Sequence, residues 1–473
     1  MNAARAVCAA SAALLIVLAL TVLRPPETAA GSLRDFQVYR AAGATWRKGV
    51  DPYSVAIAAK EPLIPSGSVL PFVGPPASLP WWAMFARLPA GVAAMLWRAV
   101  LVCALIALVC ASAACAGARS PFDFVCVGLL SLAFAPLTSA IALGQTAIVA
   151  ASLAATGLYA RRRTALVAAC AFGALALQPN VALGLFAIVR RRSTLVGLAI
   201  AILAIYACGA IALGPAWPVS YAHALAAHAV AERGSVLQFT PASIAAGFAV
   251  RSGLATPIAV SIGCIAAAVA LYAARRVRDE RAGFVAISCA LPFVCGFFHG
   301  QDLAALFLPV VVSLRTSAPS ARGLALIAAV AVGANWLDFA QSPPALAADL
   351  ALGGALVVAS IATLPEIDAR ALIWTCACLA LLGGGTWLAA THPIPVWPDA
   401  MRRFVMPAHA TPAQAWYAEL TSAGFFVPHA ASAILRSIAL GGCAITLALT
   451  LLGSDVNVHE VVERRDAVGV EVL

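Results

Sequence analysis

RRRTALVAACAFGALALQPNVALGLFAIVRRR, residues 161–192, decides how this chain is built. It is an apolar run with an arginine triplet at each end and Gln178-Pro179-Asn180 near its middle. Read as one straight helix, it would place Arg161–Arg163 and Arg190–Arg192 on opposite sides of a membrane. Proline lacks an N–H donor and pushes the preceding residue out of helical conformation, so the run breaks at Gln178. Two short helices turning there bring both triplets to the same side. The sequence therefore predicts a hairpin over 164–190.

The rest of the chain fits that geometry. Of 473 residues, 63% are hydrophobic and 11% charged, whereas soluble domains carry roughly 25% charged residues. With a mean hydropathy of +0.94, the expected class is an all-α polytopic membrane protein. Membrane-spanning helices are expected near 6–23, 91–115, 121–137, 143–160, 193–213, 255–274, 282–298, 301–314, 321–338, 345–363, 371–390 and 429–452. Proline-rich 71–90 reads as a short dipping segment. The first apolar run reads as a retained span rather than a removed signal peptide. The expected organisation is one integral domain over 1–453, with long outer loops at 24–70, 214–254 and 391–428, and a disordered cytoplasmic tail at 454–473.

The arginines set orientation. With the N-terminus cytoplasmic, the short cytoplasmic turns receive Arg119, Arg161 to Arg163, Arg190 to Arg192, Arg275, Arg276, Arg278, Arg281, Arg315, Arg322 and Arg370, and the opposite side's short turns only Arg87. This bias follows the positive-inside rule. The net charge of +10 is therefore a matter of topology, not a nucleic-acid footprint. All thirteen cysteines lie in or beside apolar runs and read as small apolar residues, with neither a disulfide framework nor a zinc site.

The same orientation gathers the polar motifs on the non-cytoplasmic side. They are the loop around Asp35, Gly144-Gln145, Gln178-Pro179-Asn180 and His299-Gly300-Gln301-Asp302. Ionisable groups at membrane depth usually face a cavity and mark function. Each has a plain alternative. Asp35 serves as a general base, or pairs with Arg34 or Arg40, or caps a helix. Gln145 binds sugar or phosphate oxygens at a helix start, or satisfies backbone groups. Gln178 lines a wet cavity, or only ends a helix. His299 and Asp302, three residues apart, hold phosphate or a hydroxyl, or pair with each other to make a turn. Two ligands are too few for a metal site. In the last outer loop, His392, Trp397, Asp399, Arg402, Arg403, His409, Trp416 and Tyr417 suit sugar stacking and phosphate binding, or an interfacial amphipathic segment.

The motifs and their order resemble glycosyltransferase family 87, the polyprenyl-phosphate-sugar-dependent transferases of the GT-C superfamily. The resemblance rests on Asp35-Phe36-Gln37-Val38-Tyr39 with Gly49-Val50-Asp51-Pro52-Tyr53, on Gly74-Pro75-Pro76 with Pro80 and Leu88-Pro89, and on Leu143-Gly144-Gln145. It continues through Arg161–Arg163, Gln178-Pro179, Arg190–Arg192 and His299-Gly300-Gln301-Asp302-Leu303, covering roughly residues 30 to 315. It implies a GT-C bundle of about 11–14 transmembrane helices whose extracytoplasmic loops carry the active site. It also implies a sugar, often mannose, moved from a polyprenyl phosphate to a lipid or glycan acceptor. Asp35 would be the catalytic base of an inverting displacement, and Arg34, Tyr39, Arg47, Tyr53, Gln145, Gln178, His299 and Asp302 would bind substrate. No cofactor is called for, with a divalent metal left open, and no nucleic acid; the partners are donor, acceptor and membrane lipids. The expected location is a bacterial plasma (inner) membrane with both termini cytoplasmic. Two positions depart from the family pattern: Gln178 stands where Lys is common, and Val73 where Tyr is common. Arg34, Arg40, Arg47 or Lys48 would then supply the missing charge. From other classes, a transporter or flippase of a lipid-linked or small polar substrate is the main alternative. The absence of an internal repeat weighs against it. A lipid-linked polymerase or ligase and a catalytically idle relative share the topology.

Overall fold

A computed structural model of the chain describes residues 3–23, 33–54, 57–58, 69–277, 279–341, 345–367, 369–395 and 409–468. Nearly all of it is helix, because the apolar runs must satisfy their backbone groups internally. The first helix, α1, spans Ala3–Leu23. The outer-loop helix α2 (Arg34–Arg47) and the short α3 (Leu79–Phe85) follow, then α4 (Ala90–Cys115), α5 (Pro121–Ala133), α6 (Ala135–Leu143) and α7 (Ala147–Tyr159). Next come α8 (Thr164–Leu177) and α9 (Pro179–Ile188). The second half comprises α10 (Arg192–Leu213), α11 (Trp217–Glu232), α12 (Pro241–Gly247), α13 (Ser252–Arg276), α14 (Glu280–Val294), α15 (Phe307–Thr316), α16 (Arg322–Gly333) and α17 (Trp336–Gln341). It closes with α18 (Leu346–Thr363), α19 (Ala369–Thr391), α20 (Pro412–Ser422) and α21 (Ala430–Val468). A two-residue ladder pairs Ile57–Ala58 with Val69–Leu70.

Among the described residues, α1, α4, α10, α13, α18, α19 and α21 are long and apolar enough to cross a membrane, and α5 with α6, bent by 63° at Phe134, is either a broken eighth span or a re-entrant loop. The expected count was higher because proline and polar residues cut other apolar runs short. Helices α7, α8 and α9 and the segment 319–333 remain apolar but shorter. At ~1.5 Å per residue, the 13 residues of α7 reach ~20 Å, against a hydrocarbon core of ~30 Å. Local signals place the breaks. Ser120 and Asp123 form a capping box with Pro121 in the first turn of α5, and Thr240 with Ser243 and Thr411 with Gln414 do the same for α12 and α20. Helix α21 continues to Val468, where the sequence reading has a disordered tail. The proline-rich segment is the expected short element, a 3-10 turn at Pro76–Ser78 leading into seven-residue α3.

The hairpin at 164–190 is present. Helix α8 ends at Leu177, and α9 starts at Pro179. A Cβ on Gly157 in α7 would lie 3.2 Å from Leu185 of α9 and 3.3 Å from Cys170 of α8, so both arms pack on one neighbour. The arms also return to one end. Arg161 and Arg191 meet the same carboxylate, with Nε 2.7 Å and 2.6 Å from the two oxygens of Glu280, and Ser193 and Thr194 donate to the Arg161 carbonyl.

That end of the bundle is an arginine layer. Asp123 takes Arg5 at 2.7 Å and Arg315 at 2.9 Å. The guanidiniums also meet carbonyls exposed at helix C-termini: Arg281 bonds Cys115 O, Arg190 bonds Val277 O, and Arg5 bonds Ala362 O. These are the positions where a helix leaves carbonyls unsatisfied and favours cations. All thirteen cysteines are free thiols.

Candidate active site

The other end of the bundle is organised by a glycine. Gly144 ends α6 in the left-handed conformation, φ +73, and its carbonyl accepts from Trp97 Nε1 of α4 at 2.9 Å. A side chain at 144 would come within 2.9 Å of Phe36 Cβ, so only glycine lets this turn press against the start of α2. Leu33, also left-handed at φ 64, donates its N–H to Ala142 O at 2.7 Å. Gln145 is thereby set against Asp35. A second close approach holds the other flank of α2, where a Cβ on Gly43 would sit 2.3 Å from the Trp82 backbone of α3.

Asp35 lies in the first turn of α2 and is 7% exposed. Arg34 Nε donates to its Oδ1 at 2.6 Å, and Gln145 Nε2 donates to its Oδ2. The Tyr39 hydroxyl, one turn along α2, donates to Gln145 Oε1 at 2.8 Å. Burial, and then the Asp35 charge, push the Tyr39 phenol well above its ordinary range, so it remains a donor. Its ring stacks on Trp82 with centroids 4.9 Å apart.

The polar chain continues from the next residue. Thr146 donates to Gln178 Oε1 at 3.3 Å, and Gln178 Nε2 donates to Asp302 Oδ1 at 2.7 Å. The break before Pro179 makes this bridge, because Gln178 leaves helical geometry there (φ −156, ψ 89). Asp302 Oδ2 accepts from the His299 backbone N–H at 2.8 Å and caps the 3-10 turn Gly300–Leu306. His299 and Asp302 thus make the turn, and Asp302 also meets Gln178.

Beyond His299 stands a carboxylate the motif reading missed. Glu232, at the C-terminus of α11 and 2% exposed, lies with Oε2 3.1 Å from His299 Nε2 and Oε1 3.4 Å from His228 Nε2. Gln238 and Trp416 side chains donate to it as well. The only sequence signal was a His and a Glu four residues apart in an apolar helix. Burial alone would lower the His299 pKa, but the charges and hydrogen bonds of Glu232 and Asp302 outweigh it and raise it to about 10.

Arg34, Asp35, Tyr39 and Gln145 therefore form one cluster, and Gln178, Asp302 and His299 another, joined through the adjacent residues Gln145 and Thr146. Arg47 does not join them, and Tyr53 borders the first through Phe72, whose ring also meets Tyr39. Arg47 is exposed in the last turn of α2, ~18 Å along the helix from Asp35. Tyr53 hydrogen-bonds Gly74 O, and its ring packs on Phe72. Of the last-loop residues, Trp416 reaches Glu232, whereas Trp397, Asp399, Arg402 and Arg403 lie outside the described residues. Among the described residues, no group of three or more His, Cys, Asp or Glu is placed to hold a metal ion.

The arrangement presents a buried carboxylate fixed on one side by a guanidinium and on the other by an amide, beside a second carboxylate and a histidine. Such a site can take a proton from a bound hydroxyl while cationic groups face an anion. Comparison with known families bears on this. Residues 72–298 match the sequence model of glycosyltransferase family 87, the family that the motifs resemble. The matched stretch holds Gln145, Gln178 and Glu232 and stops one residue short of His299; Asp35 lies upstream of it. Among curated proteins none matches the chain.

Proposed function

We propose that this chain, a polytopic membrane protein with a glycosyltransferase family 87 region over 72–298, moves a sugar from a polyprenyl phosphate to a lipid or glycan hydroxyl. Mannose is the leading candidate sugar. Asp35 takes the acceptor's proton, the acceptor oxygen bonds the anomeric carbon, and the carbon–oxygen bond to phosphate breaks. One displacement inverts the anomeric configuration, and polyprenyl phosphate leaves as the anion. Arg34 and His299 supply positive charge toward that phosphate, where Gln178 cannot. Gln145 and Tyr39 hold the base in place, and Gln178 with Asp302 shapes the sugar subsite.

One observation carries the reading. The buried Asp35–Gln145 pair sits at the end of the bundle opposite the arginine layer. Trp97, which bonds the Gly144 turn, and Cys115, which meets Arg281, are separated along α4 by ~27 Å. With the arginine layer cytoplasmic, the site opens outward, on the extracytoplasmic side of a bacterial plasma membrane, with both termini inside. Because α7 spans only ~20 Å between the two layers, the site is recessed into the apolar slab, within reach of a lipid-borne phosphate.

The test uses purified protein in lipid vesicles with radiolabelled polyprenyl-phosphate sugars and an envelope lipid and glycan extract. Wild type should form a labelled product, and Asp35→Ala should lose roughly 10²–10⁴-fold in rate while inserting normally. Label moving across the membrane without covalent transfer would replace this reading with that of a transporter.

A further inference from the structure

Glu232 is a fully buried carboxylate that the transfer chemistry does not use. Among the described residues its ionic partners are two histidines, His228 on its own helix and His299 across the site. The remaining contacts are neutral donors, Gln238 Nε2 and the Trp416 indole of α20. Gln238 is itself fixed. Its Oε1 accepts from Phe298 N at 2.6 Å, and its backbone bridges His299. Its Nε2 lies 2.9 Å from His299 Nε2, so the two N–H groups converge on Glu232 Oε2. On the opposite side, His299 Nδ1 is 3.6 Å from Asp302 Oδ2. The imidazole is thus held between carboxylates from α11 and from the turn after α14, with both ring nitrogens facing oxygen. It keeps 23% of its side-chain surface exposed and lies outside the seven candidate spans.

We propose that Glu232 is a positioning residue that holds His299 as a cation against Asp302, so that a fixed positive charge faces the anionic group of the substrate. This rests on the proposed transfer for the identity of that anion, but the charge state of His299 does not depend on it. Asp302 and Glu232 favour the charged imidazole; His228 opposes it, and burial, against the Glu232 charge and with the His299 charge, lowers the His228 pKa. Both ring nitrogens face carboxylate oxygens, at 3.1 Å and 3.6 Å, an arrangement that favours the doubly protonated imidazole.

The experiment reads His299 directly. Diethyl pyrocarbonate acylates neutral imidazole, and peptide mass spectrometry follows the His299 peptide between about pH 5 and pH 9, a window that spans the ordinary imidazole value of about 6.5. In wild type the modification should stay slow throughout. In Glu232→Gln it should rise with a midpoint at least about one unit lower, giving a roughly tenfold or greater increase near pH 8. Glu232→Asp, which keeps the charge, should restore slow modification. The alkaline limb of transfer should move down by the same amount in Glu232→Gln, with the larger change in KM. A wild-type midpoint in the ordinary range, or identical profiles for wild type and Glu232→Gln, overturns the proposal. Slow wild-type modification in a protein that transfers no sugar upholds it and overturns the transferase reading instead.

Discussion

The two ends of the bundle use carboxylates in opposite ways. In the arginine layer Asp123 and Glu280 each carry two guanidiniums. Asp123 faces Arg5 and Arg315, with the Arg119 and Ser120 N–H groups at 3.2 Å, and Glu280 faces Arg161 and Arg191. At the other end neutral and imidazole donors predominate: Gln145 on Asp35 beside a single guanidinium from Arg34, Gln178 on Asp302, and Gln238, Trp416 and two histidines on Glu232. Carboxylates facing two guanidiniums from different segments lock helix ends together. Asp35, with one donor on each oxygen, is oriented yet retains acceptor capacity, as a base requires.

If that contrast is right, substitutions at the two ends should separate stability from activity. The largest effect on folding is expected for Asp123→Ala, which leaves Arg5 and Arg315 partly buried without their shared counter-charge. A loss of about 3–5 kcal/mol is expected, read as a lower melting temperature in detergent and reduced yield. Unchanged melting would break the contrast at its structural end. Next, Gln145→Ala should reduce transfer by roughly 10–100-fold while shifting melting little, because it releases Asp35 and Tyr39 but leaves their charge balance intact. A large melting shift with normal transfer per folded molecule would make that end structural too. Glu280→Gln should cost less than Asp123→Ala, about 1–2 kcal/mol, since the Arg161 and Arg191 side chains are 27% and 39% exposed and water can solvate the guanidiniums left behind. Arg47→Ala should change stability by no more than about 0.5 kcal/mol and leave transfer unaltered. A measurable loss of transfer there would show that the donor extends along α2 well beyond the Asp35 cluster.

The parts legible in the sequence were those with a physical period or a forced break. Apolar runs gave the helices, the arginine bias grouped the loops, and Pro179 between two arginine triplets required the hairpin that Glu280 now closes. The spans were harder to count, because a helix of 13 or 14 residues such as α7 or α8 is as apolar as a full span. Asp35, Gln145, Gln178, His299 and Asp302 stood out because polar groups are costly in apolar surroundings. What joins them did not. That Gln178 reaches Asp302 depends on residues 124 positions apart, and Glu232 sits in an apolar helix with nothing nearby to announce its partners. Arg47 was read as a site residue from its motif neighbours, yet α2 carries it ~18 Å from Asp35, whereas Tyr53 lies one ring from Tyr39, with Phe72 between them.

The most direct test of the contrast compares Asp35→Asn with wild type for melting temperature and single-turnover sugar transfer in one vesicle preparation. Asparagine keeps the shape of the side chain and removes its basicity. The account predicts a melting temperature within a few degrees of wild type, consistent with a change of no more than about 1–2 kcal/mol, and transfer lowered by at least about 100-fold. Transfer equal to wild type would remove Asp35 as the base. Collapse of the folded protein instead would place the outer cluster among the supports of the fold.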